Sequence, residues 1–214
     1  IYTRIANPTI RMLEDNVAAM EGAAWGVAVS SGMAALSTVL LGLVQQGDHV
    51  VMTDTVYGPS RLLLEHEMSR FGVESTFVDS SNIRTVEPAI RSNTKLICLE
   101  TPTNPTLRVT DVAAVAEIAK RHGVLVMVDN TFASPILQNP LALGVDLVMH
   151  SMTKYINGHG DVVGGMVCGD DEVLYRKVLK SRTYWGGNMD PHQAWLVMRG
   201  TKTLPLRVRA AQVN

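Results

Sequence analysis

Val124-Leu125-Val126-Met127-Val128-Asp129 is an unbroken apolar run closed by a carboxylate. A strand with one wet face alternates apolar and polar side chains. This run does not, so it reads as a strand buried on both faces. Val145 to His150 and Val162 to Cys168 have the same character. Such strands belong to mostly parallel sheets, whose crossover connections lay helices over both faces. The helix period of Asp111 to His122, stopped by Gly123 just upstream of the first run, supplies one of those crossovers.

The same alternation extends to both ends. Thr9 is placed to cap a helix over Ile10 to Glu21 that ends at Gly22. Trp25 to Ser30 reads as a strand, Gly32 to Val44 as a helix ended by Gly47-Asp48, and His49 to Thr53 as a strand. Pro59 to Phe71 reads as one helix with proline in its first turn and Gly72 at its end. Glu74 to Val78 and Lys95 to Glu100 read as strands, with a short helix over Arg84 to Arg91 between them. Helices are expected from Glu172 to Leu179 and from Pro191 to Gly200, and the last residues before Asn214 also have helical character. The expected fold is α/β, a three-layer sandwich around a mostly parallel sheet. Neither an internal repeat nor a domain-scale linker divides it.

Composition narrows the functional classes. Lys plus Arg number 19 against 20 Asp plus Glu, a net charge of −1, so there is no basic stripe of the kind a nucleic-acid binder or a polybasic membrane-surface protein presents. No apolar run approaches bilayer length, and no secretory signal opens the sequence. Cys98 and Cys168 sit in apolar strand-like runs and read as buried thiols of a reducing compartment, which sets a cytoplasmic expectation.

Ligands of such sheets bind beyond the carboxyl ends of the strands, so the residues just after each strand are the candidates. Ser31-Gly32-Met33 joins a strand end to a helix start, where free N–H groups and the positive helix dipole suit a phosphate; a tight turn that needs glycine is the alternative. Asp129 ends a buried strand and needs a cation or donors, either a protonated heterocyclic nitrogen or the N–H groups of a cap. No His/Cys cluster stands near it at ligand spacing, which argues against a metal. Lys154 follows another buried strand between Thr153 and Tyr155, with Ser151 close by. A desolvated lysine has a lowered pKa and forms imines, whereas a solvated loop lysine is only a surface charge. An anion site, an acid for a ring nitrogen and an imine-forming lysine together are what pyridoxal 5'-phosphate requires. Tyr57 is placed to stack on such a ring, and Asn104 to donate to its hydroxyl oxygen.

These motifs make the sequence recognisable. Tyr2-Thr3-Arg4, Asn7-Pro8-Thr9, Ser31-Gly32-Met33-Ala34-Ala35, Tyr57-Gly58, Glu100-Thr101-Pro102-Thr103-Asn104-Pro105, Asp129-Asn130-Thr131, Ser151-Met152-Thr153-Lys154-Tyr155, Gly158-His159-Gly160-Asp161 and Arg199-Gly200-Thr201-Lys202-Thr203-Leu204 run along the whole sequence. In combination they resemble the Cys/Met-metabolism family of pyridoxal-phosphate enzymes. That family comprises cystathionine γ-synthase, cystathionine γ- and β-lyases, methionine γ-lyase and the acylhomoserine sulfhydrylases. The resemblance implies the large domain of a fold-type I (aspartate aminotransferase-like) enzyme over residues 1–214. The N-terminal arm and the C-terminal substrate domain, with its carboxylate-gripping Arg, are expected outside this sequence.

By the same resemblance, Lys154 carries the cofactor and shuttles protons, and Asp129 pairs with the ring nitrogen. Ser31, Gly32, Met33, Ser151 and Thr153 surround the phosphate. Tyr57 stacks on the ring and helps activate the substrate or leaving group, and Asn104 lies near the ring hydroxyl. Tyr2 and Arg4 reach the phosphate of a neighbouring subunit, which implies a homodimer with shared sites and a tetramer of two such dimers.

The resemblance implies a small sulfur-containing amino acid as substrate. Methionine γ-lyases carry a Cys two positions after the stacking Tyr, where this sequence has Pro59. Tyr57-Gly58-Pro59-Ser60 leans toward β-lyases, whereas Thr101 to Pro105 and Gly158 to Gly165 resemble γ-enzymes. The expected reaction is γ-elimination, followed by γ-replacement and then β-elimination. A non-catalytic, cofactor-binding remnant is the alternative of a different class.

Overall fold

The computed structural model describes residues 1–214. In chain order its main elements are α1 (Pro8–Glu21), β1 (Trp25–Val29), α2 (Gly32–Leu43), β2 (His49–Thr53), α3 (Gly58–Leu62), β3 (Glu74–Val78), β4 (Thr94–Glu100), α4 (Val112–His122) and β5 (Leu125–Asp129). There follow α5 (Ser134–Leu137), β6 (Leu147–Ser151), β7 (Gly165–Gly169), α6 (Glu172–Trp185), α7 (Pro191–Thr201) and α8 (Leu204–Val213). The strands form one sheet in the order β1-β7-β6-β5-β4-β2-β3, and only β7 runs antiparallel to its neighbours. The fold is the three-layer α/β sandwich that the sequence predicts.

Each face of the sheet carries its own core. On one face Leu13 and Val17 of α1, Val115 and Ala119 of α4 and Val197 of α7 pack on Val126, Val128 and Val148. On the other, Leu36, Val39 and Leu40 of α2 and Leu174 and Val178 of α6 pack on Val27, Met127, Leu147 and Val167. Period-2 alternation thus sends Met127 and Val128 to opposite cores, which is why the run has no polar residue to spare. Leu40 is fully buried, and truncating it to Ala would cost about 2–5 kcal/mol.

Several expected boundaries shift for identifiable reasons. Asn7, not Thr9, caps α1: its Oδ1 accepts from Thr9 N at 2.9 Å, and Pro8 occupies the first turn, where its missing N–H costs nothing. The expected Pro59–Phe71 helix begins as α3, loosens into a π-turn over Leu63–Glu67 and tightens into a 3₁₀ turn over Met68–Phe71. There the Ser69 hydroxyl donates to the Glu65 and His66 carbonyls and competes with the helical ladder. Arg84 to Arg91 is not one helix but two 3₁₀ turns, Ile83–Thr85 and Glu87–Ala89, which break at Val86; Pro88 sits in the first turn of the second, where its missing N–H is tolerated but cannot continue an α-helical ladder. Helix α6 runs on to Trp185, past Leu179, because the polar-looking Ser181 and Arg182 are buried. Arg182 pairs there with buried Glu14 at 3.0 Å and donates to the Ile5 carbonyl at 3.2 Å.

The antiparallel strand shapes the site. A parallel neighbour would need a crossover helix, but β6 pairs antiparallel with β7, with Ser151 opposite Gly165. Residues 152–164 therefore remain at the carboxyl end of β6, and Lys154 lies among them. Both cysteines are free and buried. No helix is long and apolar enough to cross a membrane.

Candidate active site

A cavity of about 220 Å³ opens at the carboxyl ends of β4, β5 and β6, against the start of α2. Ser31, Gly32, Met33, Tyr57, Asn104, Asp129, Ser151, Thr153 and Lys154 all line it. Nine of the eleven sequence-predicted positions thus converge. Tyr2 and Arg4 do not: both are exposed in the segment before α1. Arg4 donates to the Tyr2 hydroxyl at 3.3 Å and to the Thr183 carbonyl at 3.2 Å, and its guanidinium stacks 5.3 Å from the Tyr2 ring centre.

The anion end of the cavity is built by close approach. Ser31 caps α2, its Oγ accepting from Ala34 N at 3.0 Å. A Cβ on Gly32 would lie 2.8 Å from the Ser151 Cβ, so glycine is what lets the end of β6 meet the first turn of α2. The same approach brings the Ser151 side chain to the free N–H groups of that turn. The Thr153 hydroxyl is tied to the loop before β7: it accepts from Gly164 N at 3.1 Å and donates to Gly164 O at 3.3 Å.

On the floor, Asp129 accepts from Thr131 N at 3.0 Å, while the Thr131 hydroxyl accepts from Ser151 N at 2.8 Å. Thr131 thereby locks the ends of β5 and β6 together. Burial pushes the Asp129 carboxyl above the ordinary carboxylate range, and the Thr131 bonds and His150 behind the sheet pull it back. A half-buried acid in that condition gains most from a cation placed beside it.

Lys154 departs from its expected setting. It is not desolvated: β6 ends at Ser151, the turn carries Lys154 out to the cavity mouth, and the residue is exposed. Its backbone is fixed, N–H to Ser151 O at 3.2 Å and O to Gly158 N at 2.7 Å, while its amine has no partner.

Several lining residues have no role in the sequence motifs. Glu100 and Thr131 stand at strand ends and lie within the quoted motifs, yet neither draws a role there. Phe132 and Met149 draw no notice at all. Met149 was findable, since alternation along β6 puts it on the face of Ser151 and opposite His150. Phe132 follows directly on the Asp129–Thr131 turn. Ser60, at the start of α3, donates to the Met33 sulfur at 3.8 Å and joins Tyr57's loop to α2.

The donor set suits a phosphorylated pyridine aldehyde: N–H groups and hydroxyls at one end, a half-buried acid on the floor, an unpaired amine at the mouth. That chemistry, on this sheet, defines a pyridoxal-phosphate-dependent enzyme of α/β fold. The family model described as Cys/Met metabolism PLP-dependent enzyme matches residues 1–214, and the chain belongs to that family. Cystathionine gamma-lyase of Bacillus subtilis (strain 168) is 50% identical over 213 residues, 100% of this chain and 56% of that protein. Cystathionine beta-lyase MetC of the same organism is 47% identical over 210 residues, 98% of this chain and 54% of that protein. Among solved structures, metB from Corynebacterium glutamicum superposes with a TM-score of 0.94 at 47% identity, covering 96% of this chain and 53% of that one. The chain thus spans about half the length of the relatives it matches. Relatives named for different reactions stand at nearly equal identity, so the family and its cofactor are shown and the individual reaction is not.

Proposed function

We propose that residues 1–214 are the large, cofactor-binding domain of an enzyme that expels the γ-substituent of a sulfur amino acid of the cystathionine, methionine or homocysteine type. The observation that carries this reading is the single cavity on which Lys154, Asp129, Tyr57, Asn104 and the first turn of α2 converge. The reaction itself is favoured by the 50% identity to a protein named cystathionine gamma-lyase. β-Elimination is the second reading, favoured by the 47% match to a cystathionine beta-lyase and by Tyr57-Gly58-Pro59-Ser60.

When bound, pyridoxal phosphate supplies an electron sink for the pair left behind as a substrate bond breaks. The residues of this chain do the rest. The free N–H groups of α2, with Ser31, Gly32, Met33, Ser151 and Thr153, would hold the phosphate. The Asp129 carboxylate would keep a proton on the ring nitrogen, because an opposite charge close by favours the protonated form. The Lys154 amine would hold the cofactor through its aldehyde carbon and, once the substrate amine displaces it there, would be free to take the substrate α-proton and, for γ-elimination, a β-proton. Tyr57 would cover the ring face, with its hydroxyl available to the departing sulfur, and Asn104 would lie near the ring hydroxyl.

Tyr2 and Arg4 act on the phosphate of a neighbouring copy, in a homodimer that pairs into a tetramer. Their position outside their own cavity supports this, and an Arg fork matches phosphate oxygens. The two free buried cysteines support a cytoplasmic setting. A product assay on the protein that carries this chain tests the reaction. With cystathionine, γ-elimination leaves a four-carbon keto acid and β-elimination leaves pyruvate. Pyruvate alone would overturn the γ-reading, and a new thioether from an acylhomoserine plus thiol, with no keto acid, would move the assignment to γ-replacement.

A further inference from the structure

Glu100 closes β4 and is 8% exposed, yet it has no ion-pair partner. Its two oxygens are taken by backbone donors from two different loops. Oε2 accepts from Tyr57 N at 2.9 Å, in the loop after β2, and Oε1 accepts from Asn104 N at 2.7 Å, in the loop after β4. Glu100 also lies in register with Asp129 of β5. We propose that Glu100 is a positioning residue whose carboxylate clips the Tyr57 loop to the Asn104 loop and so sets the height of the Tyr57 ring above the Asp129 floor. This inference rests on the pyridoxal-phosphate reading of the cavity.

Chemistry singles out a carboxylate for the task. Two N–H donors approaching from opposite sides need two acceptor oxygens, which an ionised carboxylate offers and an amide does not. The clip is costly to keep charged: burial, and secondarily the charge of Asp129, push Glu100 up to about 7. The other titratable groups facing this cavity are Tyr57 from the loop after β2, Asp129 from β5 and Lys154 from the turn after β6. Cys98, from β4 itself, is held neutral by burial, its thiol pushed up to about 12. A cationic ring nitrogen against Asp129 offsets the charge that opposes Glu100, so cofactor binding and the closed clip favour one another.

The test is a double-mutant cycle on cofactor affinity in the full-length protein, stripped of cofactor and titrated with pyridoxal phosphate. Visible absorbance and circular dichroism report binding. Glu100→Gln keeps the shape and loses one acceptor, so it should weaken binding about tenfold. Tyr57→Ala should cost a similar factor. If Glu100 acts through Tyr57, the double variant should be about as weak as either single one, not about a hundredfold weaker than wild type. Fully multiplicative costs, or Glu100→Gln binding within about twofold of wild type, would overturn the proposal. Should Glu100→Gln not fold, Glu100→Asp replaces it in the same cycle: the charge stays, the reach shortens, and the same loss of the effect in the Tyr57→Ala background is required. A wild-type protein that takes up no pyridoxal phosphate would instead sink the reading of the cavity itself, a result distinct from normal wild-type binding with an indifferent Glu100 variant.

Discussion

Two regions are assigned to one phosphate, and they are built in opposite ways. The start of α2 and the end of β6 are held by cores on both faces of the sheet, with Gly32 pressed against Ser151 and Thr131 linking β5 to β6. The segment with Tyr2 and Arg4 is exposed, tethered to the body through the Thr183 carbonyl and through a bond from Asn188 to the Arg4 carbonyl. The first region can place an anion without help, because its donors are fixed before anything binds. The second has its charged group parked on a tyrosine ring and a helix carbonyl, where it serves nothing in its own cavity. A rigid cradle at home and a loosely tethered cation elsewhere is the arrangement expected where a site is completed by another copy.

Lys154→Ala should have the largest effect on the rigid half, a loss of turnover of roughly a thousandfold or more. Borohydride reduction of the wild-type holoenzyme should leave the cofactor on a single peptide containing Lys154. Cofactor fixed on any other peptide would remove Lys154 from the role. Because the amine lies exposed at the cavity mouth, the fold itself should hardly register its loss, and the unfolding midpoint of Lys154→Ala should stay close to wild type.

Asp129→Asn comes next. It preserves shape and removes the charge that stabilises a protonated ring nitrogen, so pyridoxal phosphate should still bind while elimination falls by about a hundredfold to a thousandfold. Turnover within a few-fold of normal would show that the ring nitrogen needs no anion here. The two variants separate holding the cofactor from powering it, both within one rigid region.

The exposed region is tested by complementation. On the proposed shared site, Arg4→Ala removes a group given to the partner, and Lys154→Ala removes a group used at home. Each alone should be nearly inactive. A mixed dimer contains one site with both defects and one with neither, so each mixed dimer should regain about half of normal activity and a random co-expressed mixture about a quarter. Proven mixed dimers that stay inactive would place every phosphate contact within a single chain and dissolve the contrast between the two regions.

The same contrast governs how far the sequence could be read. The floor is legible from residues alone: apolar runs without alternation force a sheet buried on both faces, and the carboxyl ends of its strands name Ser31, Asp129 and Ser151 as candidates. Tyr2 and Arg4 carry no such signature, since nothing about an exposed Tyr-Thr-Arg marks it as functional; only the resemblance names them. The burial of Arg182 was hidden for a related reason, because its partner Glu14 lies on α1, far away in the sequence, and pairing across that distance leaves no periodicity. The setting of Lys154 was misjudged because an apolar run does not say where its strand ends, and three residues of turn suffice to carry a side chain from core to mouth. Glu100 drew no role because its use, two backbone N–H groups from separate loops, exists only once β2 and β4 lie side by side.

The smallest expected effect belongs to that residue and concerns stability. Glu100 rises from an ordinary carboxylate value of 4.5 to about 7 on folding. Between those values the unfolded chain has released a proton that the folded chain retains. The group therefore costs stability progressively as pH rises through that window and adds no further cost above it. The full shift corresponds to about 3 kcal/mol, with the opposing pull of the two backbone N–H groups already included. Glu14, Asp129 and Asp146 are also raised by burial and slope the same way, so the informative quantity is a difference between two proteins. Urea unfolding of the cofactor-free protein from about pH 4.5 to about pH 8 should give a shallower decline for Glu100→Gln than for wild type. Parallel curves would mean that Glu100 titrates alike in both states and that its carboxylate is no strained clip. The same experiment with cofactor bound should bring the two slopes closer, because a cation beside Asp129 lowers the Glu100 pKa in the folded protein.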